Sequence, residues 1–236
     1  RELDPDLIVV TAYGKILPEY VLNYPKYGCI NVHGSYLPAY RGAAPIQRAI
    51  MDGLTVTGNT IQFMADGIDT GDMIAKDEVE IGENEDFGSL YDRMGKSGGK
   101  LLISVVEKIE NGTASAEAQD DSLATYAKKV EKEDCLVDFT LDATVVSARI
   151  RGVTPIPGAF TYFSGKMLKI AKAIPVDKCG DVGEVIEANG TGDGSFTVAC
   201  GKGALKVLSV IPEGKGKMSS ADFVNGRKIA IGDVLR

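Results

Sequence analysis

The stretch Gly28–Gln47, GCINVHGSYLPAYRGAAPIQ, constrains this chain more than any other. At its centre stands His33, the only histidine in the sequence, two residues after Asn31. With Cys29 to His33 as a strand, alternation places Asn31 and His33 on one face and Val32 on the other. Gly34-Ser35 ends that strand, and Pro38 keeps it from continuing. An amide and an imidazole at a strand's end, followed by a loop, is how an open α/β sheet presents chemistry at its carboxyl edge, so the pair is expected to face a crevice. Taken alone, a lone histidine in such a place is more often a hydrogen-bonded structural residue than a catalyst.

A second polar loop adds weight. Ala65-Asp66-Gly67-Ile68-Asp69-Thr70-Gly71-Asp72 follows the strand-like Asn59–Met64 and brings three aspartates into seven residues, with glycines that allow tight turns. Without other information such a loop reads as a solvated turn or a cation site.

The run Asn31-Val32-His33-Gly34-Ser35-Tyr36-Leu37-Pro38, then Arg41-Gly42-Ala43-Ala44-Pro45-Ile46-Gln47, then Gly67-Ile68-Asp69-Thr70-Gly71-Asp72, closely resembles the folate-dependent formyltransferases. The resemblance continues through Lys132–Asp138, Arg149-Ile150-Arg151, Pro155–Ala159 and Met218–Arg227, and covers nearly all of the chain. It implies catalytic roles for Asn31, His33 and Asp69. It also implies 10-formyltetrahydrofolate as co-substrate, held by Ser35, Tyr36, Leu37 and Pro38 and by Lys15, Ile16 and Leu17 in the loop after the first strand. Tyr36 departs from the family's Ser-Leu-Leu-Pro, which removes an aliphatic contact there. The later motifs resemble the branch that formylates the amino group of methionine on initiator tRNA in translation initiation. Sugar-nucleotide formylation, or a fragment that only binds folate or RNA, is the alternative. Complete relatives begin with a strand-helix-strand-helix-strand unit before the equivalent of Leu7, so half of a doubly wound sheet is expected to be absent.

The expected architecture is α/β: a partial doubly wound, Rossmann-like formyltransferase domain over 1–118, a polar linker over 119–132, and an OB-like barrel over 133–236. Strands are expected at Leu7–Val10, Cys29–His33, Val56–Met64 and, at a polar edge, Met73–Ile81. A long helix runs from Phe87 to Asn111-Gly112, weakened by Gly95, Gly98 and Gly99. Gly95-Lys96-Ser97 ends like a phosphate-binding loop, but Leu90 stands where that motif needs glycine. A helix over Ala143–Ile150 precedes five short strands between Ala159 and Ile211, and Ser219 caps a last short helix ended by Gly226.

Charge decides how RNA could be bound. The net charge of −7 divides into 13 basic and 21 acidic residues over 1–132, and 13 and 12 over 133–236, or −8 and +1. The second half leaves room for a basic track against phosphates. Lys166 and Lys172, an even number apart on one strand, are expected to share a face, with Lys169 on the other; Lys202, Lys206, Arg149, Arg151 and, toward the tRNA end of the crevice, Arg41 complete the set. Four separated cysteines without a C-x-x-C pair give neither a disulfide framework nor a zinc site, and no metal is expected. No apolar run approaches ~20 residues, and no charged-then-apolar leader follows Arg1, so a cytoplasmic protein is expected.

Overall fold

The computed structural model describes residues 3–192, 194–226 and 228–236; Arg1, Asp193 of the glycine-rich turn and Arg227 of the last quoted motif lie outside the described residues. The chain divides into two compact units, one built from residues up to Ala49 with Leu54–Gly82 and Ser89–Lys129, the other from Ile50–Gly53, Glu83–Gly88 and Val130–Arg236.

In the first unit, β1 (Ile8–Val10), β2 (Cys29–His33), β3 (Val56–Phe63) and β4 (Met73–Glu80) lie side by side in chain order. β1 and β2 are parallel and the other pairs antiparallel, so the doubly wound character rests on that first pair alone. Polar β4 takes an edge, as its composition requires. Short α1 (Glu19–Leu22) and α2 (Pro45–Met51) connect the strands, and α3 (Phe87–Glu110) follows them. Alternation gives this sheet two chemically distinct faces. Ile30 and Ile61 point to one and are fully buried with Val105 and Ile109 of α3, with Val32, Phe63, Leu101 and Leu102 packed around them. Asn31, His33, Thr60 and Gln62 are their alternates, paired across β2 and β3 as Asn31 with Gln62 and His33 with Thr60.

The glycines of α3 have separate uses. Gly98 is buried on the sheet side, where a Cβ would stand 3.1 Å from Asn59 Oδ1 and 3.4 Å from Val32, while Gly95 and Gly99 face open space. Close approach also lets Asn59 Nδ2 donate to Ser97 Oγ at 2.9 Å.

Residues 119–129, read from sequence as a linker, are part of the first unit. Arg41 N–H donates to Thr125 O, Ala127 N–H to Arg41 O and Ala44 N–H to Ala127 O, while Arg48 donates to the carbonyls of Lys128 and Lys129. Backbone pairing straps this polar stretch down without an apolar face of its own, which is why its composition resembled a linker.

In the second unit, α4 (Ala143–Val153) packs against β5 (Ala159–Phe163), β6 (Lys166–Val176) and β9 (Ala204–Pro212), and β7 (Val185–Ala188) and β8 (Phe196–Ala199) extend the same sheet. The antiparallel order is β5-β6-β9-β8-β7, with β10 (Met218–Ser219) added to β9. No ladder joins β5 to β7 among the described residues. The C-terminal segment bridges them instead: Arg236 exchanges both backbone bonds with Tyr162 of β5, while Val185 N–H donates to Asp233 O and Leu235 N–H to Gly183 O beside β7. Ser219 caps α5 (Ser220–Asn225), its Oγ accepting from Asp222 N–H at 3.1 Å.

β6 overturns one expectation. Leu168 and Ile170 are buried, and so is Ala173, an odd step further on, because the register shifts on either side of Lys172. This bulge at Ala171 returns Lys172 to the outward side with Lys169, whereas Lys166 keeps the parity of buried Leu168 and is exposed only because it begins the strand. Lys166 and Lys172 therefore do not share a face.

Two measurements check these packings. Gly98→Leu is expected to destabilise the first unit by about 1–3 kcal/mol through overpacking, whereas Gly95→Ala stabilises it by ~0.5–1 kcal/mol, read as opposite shifts in denaturant midpoint. Burial pushes the Cys200 thiol up from 9.0 to about 11. The folded chain therefore holds a proton that the unfolded chain releases, and stability falls as pH rises from about 9 to about 11. Cys200→Ala should flatten that alkaline limb in a pH series of thermal melts.

Candidate active site

Parallel β1 and β2 send their following loops, residues 11–18 and 34–44, from the same edge of the first sheet. Asn31 is half-buried, and its side chain forms no hydrogen bond among the described residues. His33 is 6% exposed. Its Nε2 lies 2.9 Å from Tyr40 O, and its Nδ1 lies 3.5 Å from Asp69 Oδ1. Both ring nitrogens thus face oxygen atoms, one of a backbone carbonyl and one of a carboxylate.

Asp69 is held from several directions. Its other carboxylate oxygen, Oδ2, accepts the Gly42 N–H at 2.8 Å, and Oδ1 accepts from Gln62 Nε2 at 3.2 Å. Asp69 adopts φ +54°, a left-handed conformation that aspartate tolerates better than most residues. Gly42 at φ +120° has no room for a side chain, since a Cβ would stand 2.7 Å from Ala127 O. The loop between β2 and α2 is fixed from β3, where the Thr60 hydroxyl donates to Ser35 O at 2.7 Å and accepts the Leu37 N–H at 3.0 Å.

Several expected ligand contacts are corrected by burial. Ser35 is 1% exposed, with its hydroxyl spent on Ala39 O, and Leu37 is fully buried; both shape the loop rather than face a ligand. Tyr36 is exposed, but its ring carries the Lys76 ammonium 4.5 Å from the centroid, and Pro38 is partly buried beside it. Lys15 and Ile16 are exposed and Leu17 partly so, on the loop that leaves β1.

Arg41 is a plainer correction. It is 2% exposed, with Nε and Nη2 donating to Gln119 Oε1 at 3.0 and 2.8 Å and Nη2 to Asp121 Oδ1 at 2.7 Å. A guanidinium enclosed and paired in this way holds the strap and presents no charge to RNA.

In the second unit Arg149 is exposed on α4, but Arg151 is half-buried, donating to Glu85 O at 2.9 Å. Burial lowers the Arg151 pKa, opposed by Asp86, Glu83 and Glu85, so it sits in an acidic setting that disfavours phosphate. Lys166, Lys172 and Lys202 are exposed, and Lys169 reaches back to Pro157 O at 3.1 Å.

Sequence reading missed Gln62, Thr60 and Gln119. The first two had a signal, since Thr60 and Gln62 alternate with Ile61 and Phe63 and so mark a polar sheet face. Gln119 had none. Among the described residues, no three His, Cys, Asp or Glu side chains are grouped to hold a metal ion, and no helix is long and apolar enough to cross a membrane.

Residues 1–106 match the formyl transferase model, and residues 129–228 match the formyl transferase C-terminal domain. A methionyl-tRNA formyltransferase of Citrifermentans bemidjiense is 43% identical over 235 residues, covering 100% of this chain and 73% of the relative. The chain belongs to the formyl transferase family. Its fold is shared with HypX of Aquifex aeolicus, solved with tetrahydrofolic acid, at TM-score 0.74 and 21% identity over 96% of this chain and 40% of that one. It is also shared with WlaRD, a sugar 3N-formyl transferase solved with dTDP and 5-N-formyl-THF, at TM-score 0.66 and 19% identity over 91% and 76%.

Arg41→Ala in this family member is expected to destabilise the first unit by about 2–4 kcal/mol in urea unfolding, because Gln119 and the surrounding cavity lose their partner. Its effect on RNA affinity, measured across a salt series on folded protein, should leave the salt slope unchanged.

Proposed function

We propose that this chain carries the transfer of a formyl group from 10-formyltetrahydrofolate to the amino group of methionine on initiator tRNA, a cytoplasmic step of translation initiation. The observation that carries the reading is the placement of the Asn31 amide, without a hydrogen-bond partner among the described residues, on the same sheet face as His33, whose ring meets Asp69 at 3.5 Å. A relative of that name, 43% identical over the whole of this chain, supports the acceptor. The first unit supplies the chemistry, and the second supplies contacts to RNA, with exposed Arg149, Lys166 and Lys172 as the remaining candidates.

Formyl transfer to an amine passes through a tetrahedral carbon bearing an oxyanion, and no covalent enzyme intermediate is needed. Asn31 Nδ2 donates to the formyl oxygen and keeps donating as charge grows there. His33 exchanges the neutral Tyr40 carbonyl for the substrate and delivers a proton to the departing folate nitrogen. The attacking amine gives up one proton, and Asp69, facing Nδ1, steadies the imidazolium and orients the water that carries that proton away. One proton leaves the amine and one arrives at the folate nitrogen, so the reaction balances. Lys15, Ile16 and Leu17 on the loop after β1, with Tyr36 and Pro38 on the loop after β2, hold the folate.

In the complete enzyme, His33→Ala and Asp69→Asn are expected to lower turnover ~10²–10⁴-fold while folate affinity changes far less, because both act on charge that develops in the transition state. Single-turnover assays beside ligand titration check this. Equal losses in both would make the residues structural, and formylation of an amino-sugar nucleotide instead of methionyl-tRNA would reassign the acceptor.

A further inference from the structure

The carboxylate of Asp69 lies at the end of a directed chain of hydrogen bonds that begins at a buried cation. Gln119 Oε1 takes Nε and Nη2 of Arg41, and its Nε2 is directed at Gln62 Oε1 at 3.1 Å, Asp69 O at 2.8 Å and Gly71 O at 2.7 Å. Only one orientation of this amide works, since guanidinium offers only donors and carbonyls only acceptors. Gln62 is 2% exposed and likewise oriented: its oxygen accepts from Gln119 and its nitrogen donates to Asp69 Oδ1, the oxygen that faces His33. Each bond in such a chain polarises the next in the same sense, toward the carboxylate.

Apart from this chain, the loop carrying Asp69 is held by the Gly42 N–H on Asp69 Oδ2 at 2.8 Å and by the Phe63 N–H on Asp72 O at 2.9 Å. Residues 65–68 are exposed, with Ile68 61% so, and Asp69 itself is in the left-handed region. The same strap reaches the opposite side of the histidine, where Thr125 Oγ1 accepts the Tyr40 N–H at 2.8 Å and Tyr40 O meets His33 Nε2. Both oxygen partners of the His33 ring are thus fixed by one segment, residues 119–127.

We propose that Gln119 is a positioning residue for formyl transfer, acting through Gln62 and the main chain of Asp69 to hold the carboxylate against His33. It touches neither the histidine nor substrate. The proposal rests on the reading of His33 and Asp69 as the catalytic pair. Misplacement of a catalytic group by ~1 Å commonly costs ~10²-fold in rate, which sets the scale expected.

The test uses the complete enzyme, with methionyl-tRNA and an amino-sugar nucleotide as alternative acceptors. Wild-type turnover on neither would sink the catalytic reading and this proposal with it, before any variant is compared; turnover on either supplies the baseline. Gln119→Glu keeps the acceptor that Arg41 needs and removes the donor shared by Gln62, Asp69 and Gly71. Its kcat is expected to fall about 10–100-fold with KM for folate and acceptor within about twofold of wild type. In an Asp69→Asn background, the same substitution is expected to have no further effect on kcat, because its route to the reaction is already cut. Full additivity in that background, or a raised KM with kcat unchanged, overturns the proposal. Gln62→Met breaks the same chain one link nearer the carboxylate and must show the same non-additive kcat loss should the Glu variant fail to fold; a wild-type kcat for a folded Gln62→Met also overturns it.

Discussion

Everything at the candidate site depends on enclosing the charge of Arg41. A guanidinium at 2% exposure carries a large desolvation cost, and it persists only where good acceptors surround it. Gln119 and Asp121 supply them from a segment some eighty residues further along the chain. That requirement pins residues 119–127 against the loop after β2, and the pinned segment closes around Tyr40 and Asp69. The segment that satisfies the Arg41 cation thus also meets Tyr40 and Asp69, the two residues whose oxygens face the His33 ring.

The first sheet makes this possible by dividing its labour. One face is given wholly to burial, with Ile30 and Ile61 under α3, and the glycine at position 98 lets the helix come close enough to seal it. The other face is free to carry Asn31, His33, Thr60 and Gln62, polar groups whose burial is tolerable because most of them find hydrogen-bond partners. An apolar core on one side thereby supports a polar network on the other through a single layer of strands.

How much of this was legible in the sequence depended on the range of the signal. Cys29–His33 and Ala159–Phe163 have in the structure the bounds expected of them, and the Ser219 cap formed as written, because alternation and capping are local. Asn31, His33 and Asp69 could be selected through resemblance. The burial of Arg41 could not be seen, since an arginine beside a glycine looks solvated until its acceptors are brought from elsewhere in the chain. The linker assignment failed for the same reason, as backbone pairing leaves no mark on composition. On β6 the parity argument failed at Ala171 because a bulge adds one residue without changing the hydrophobic character of the strand.

The left-handed backbone at Asp69 narrows what history could have done with this position. Most side chains are strained at φ +54°, while aspartate, asparagine and glycine are at ease there. Of these three, only aspartate brings a charge. Asparagine or glycine would keep the turn and lose the charge, whereas glutamate would keep the charge at a backbone cost of about 1–2 kcal/mol. The shape of one peptide unit, as well as the charge of the carboxylate, thus bears on which side chains position 69 can carry.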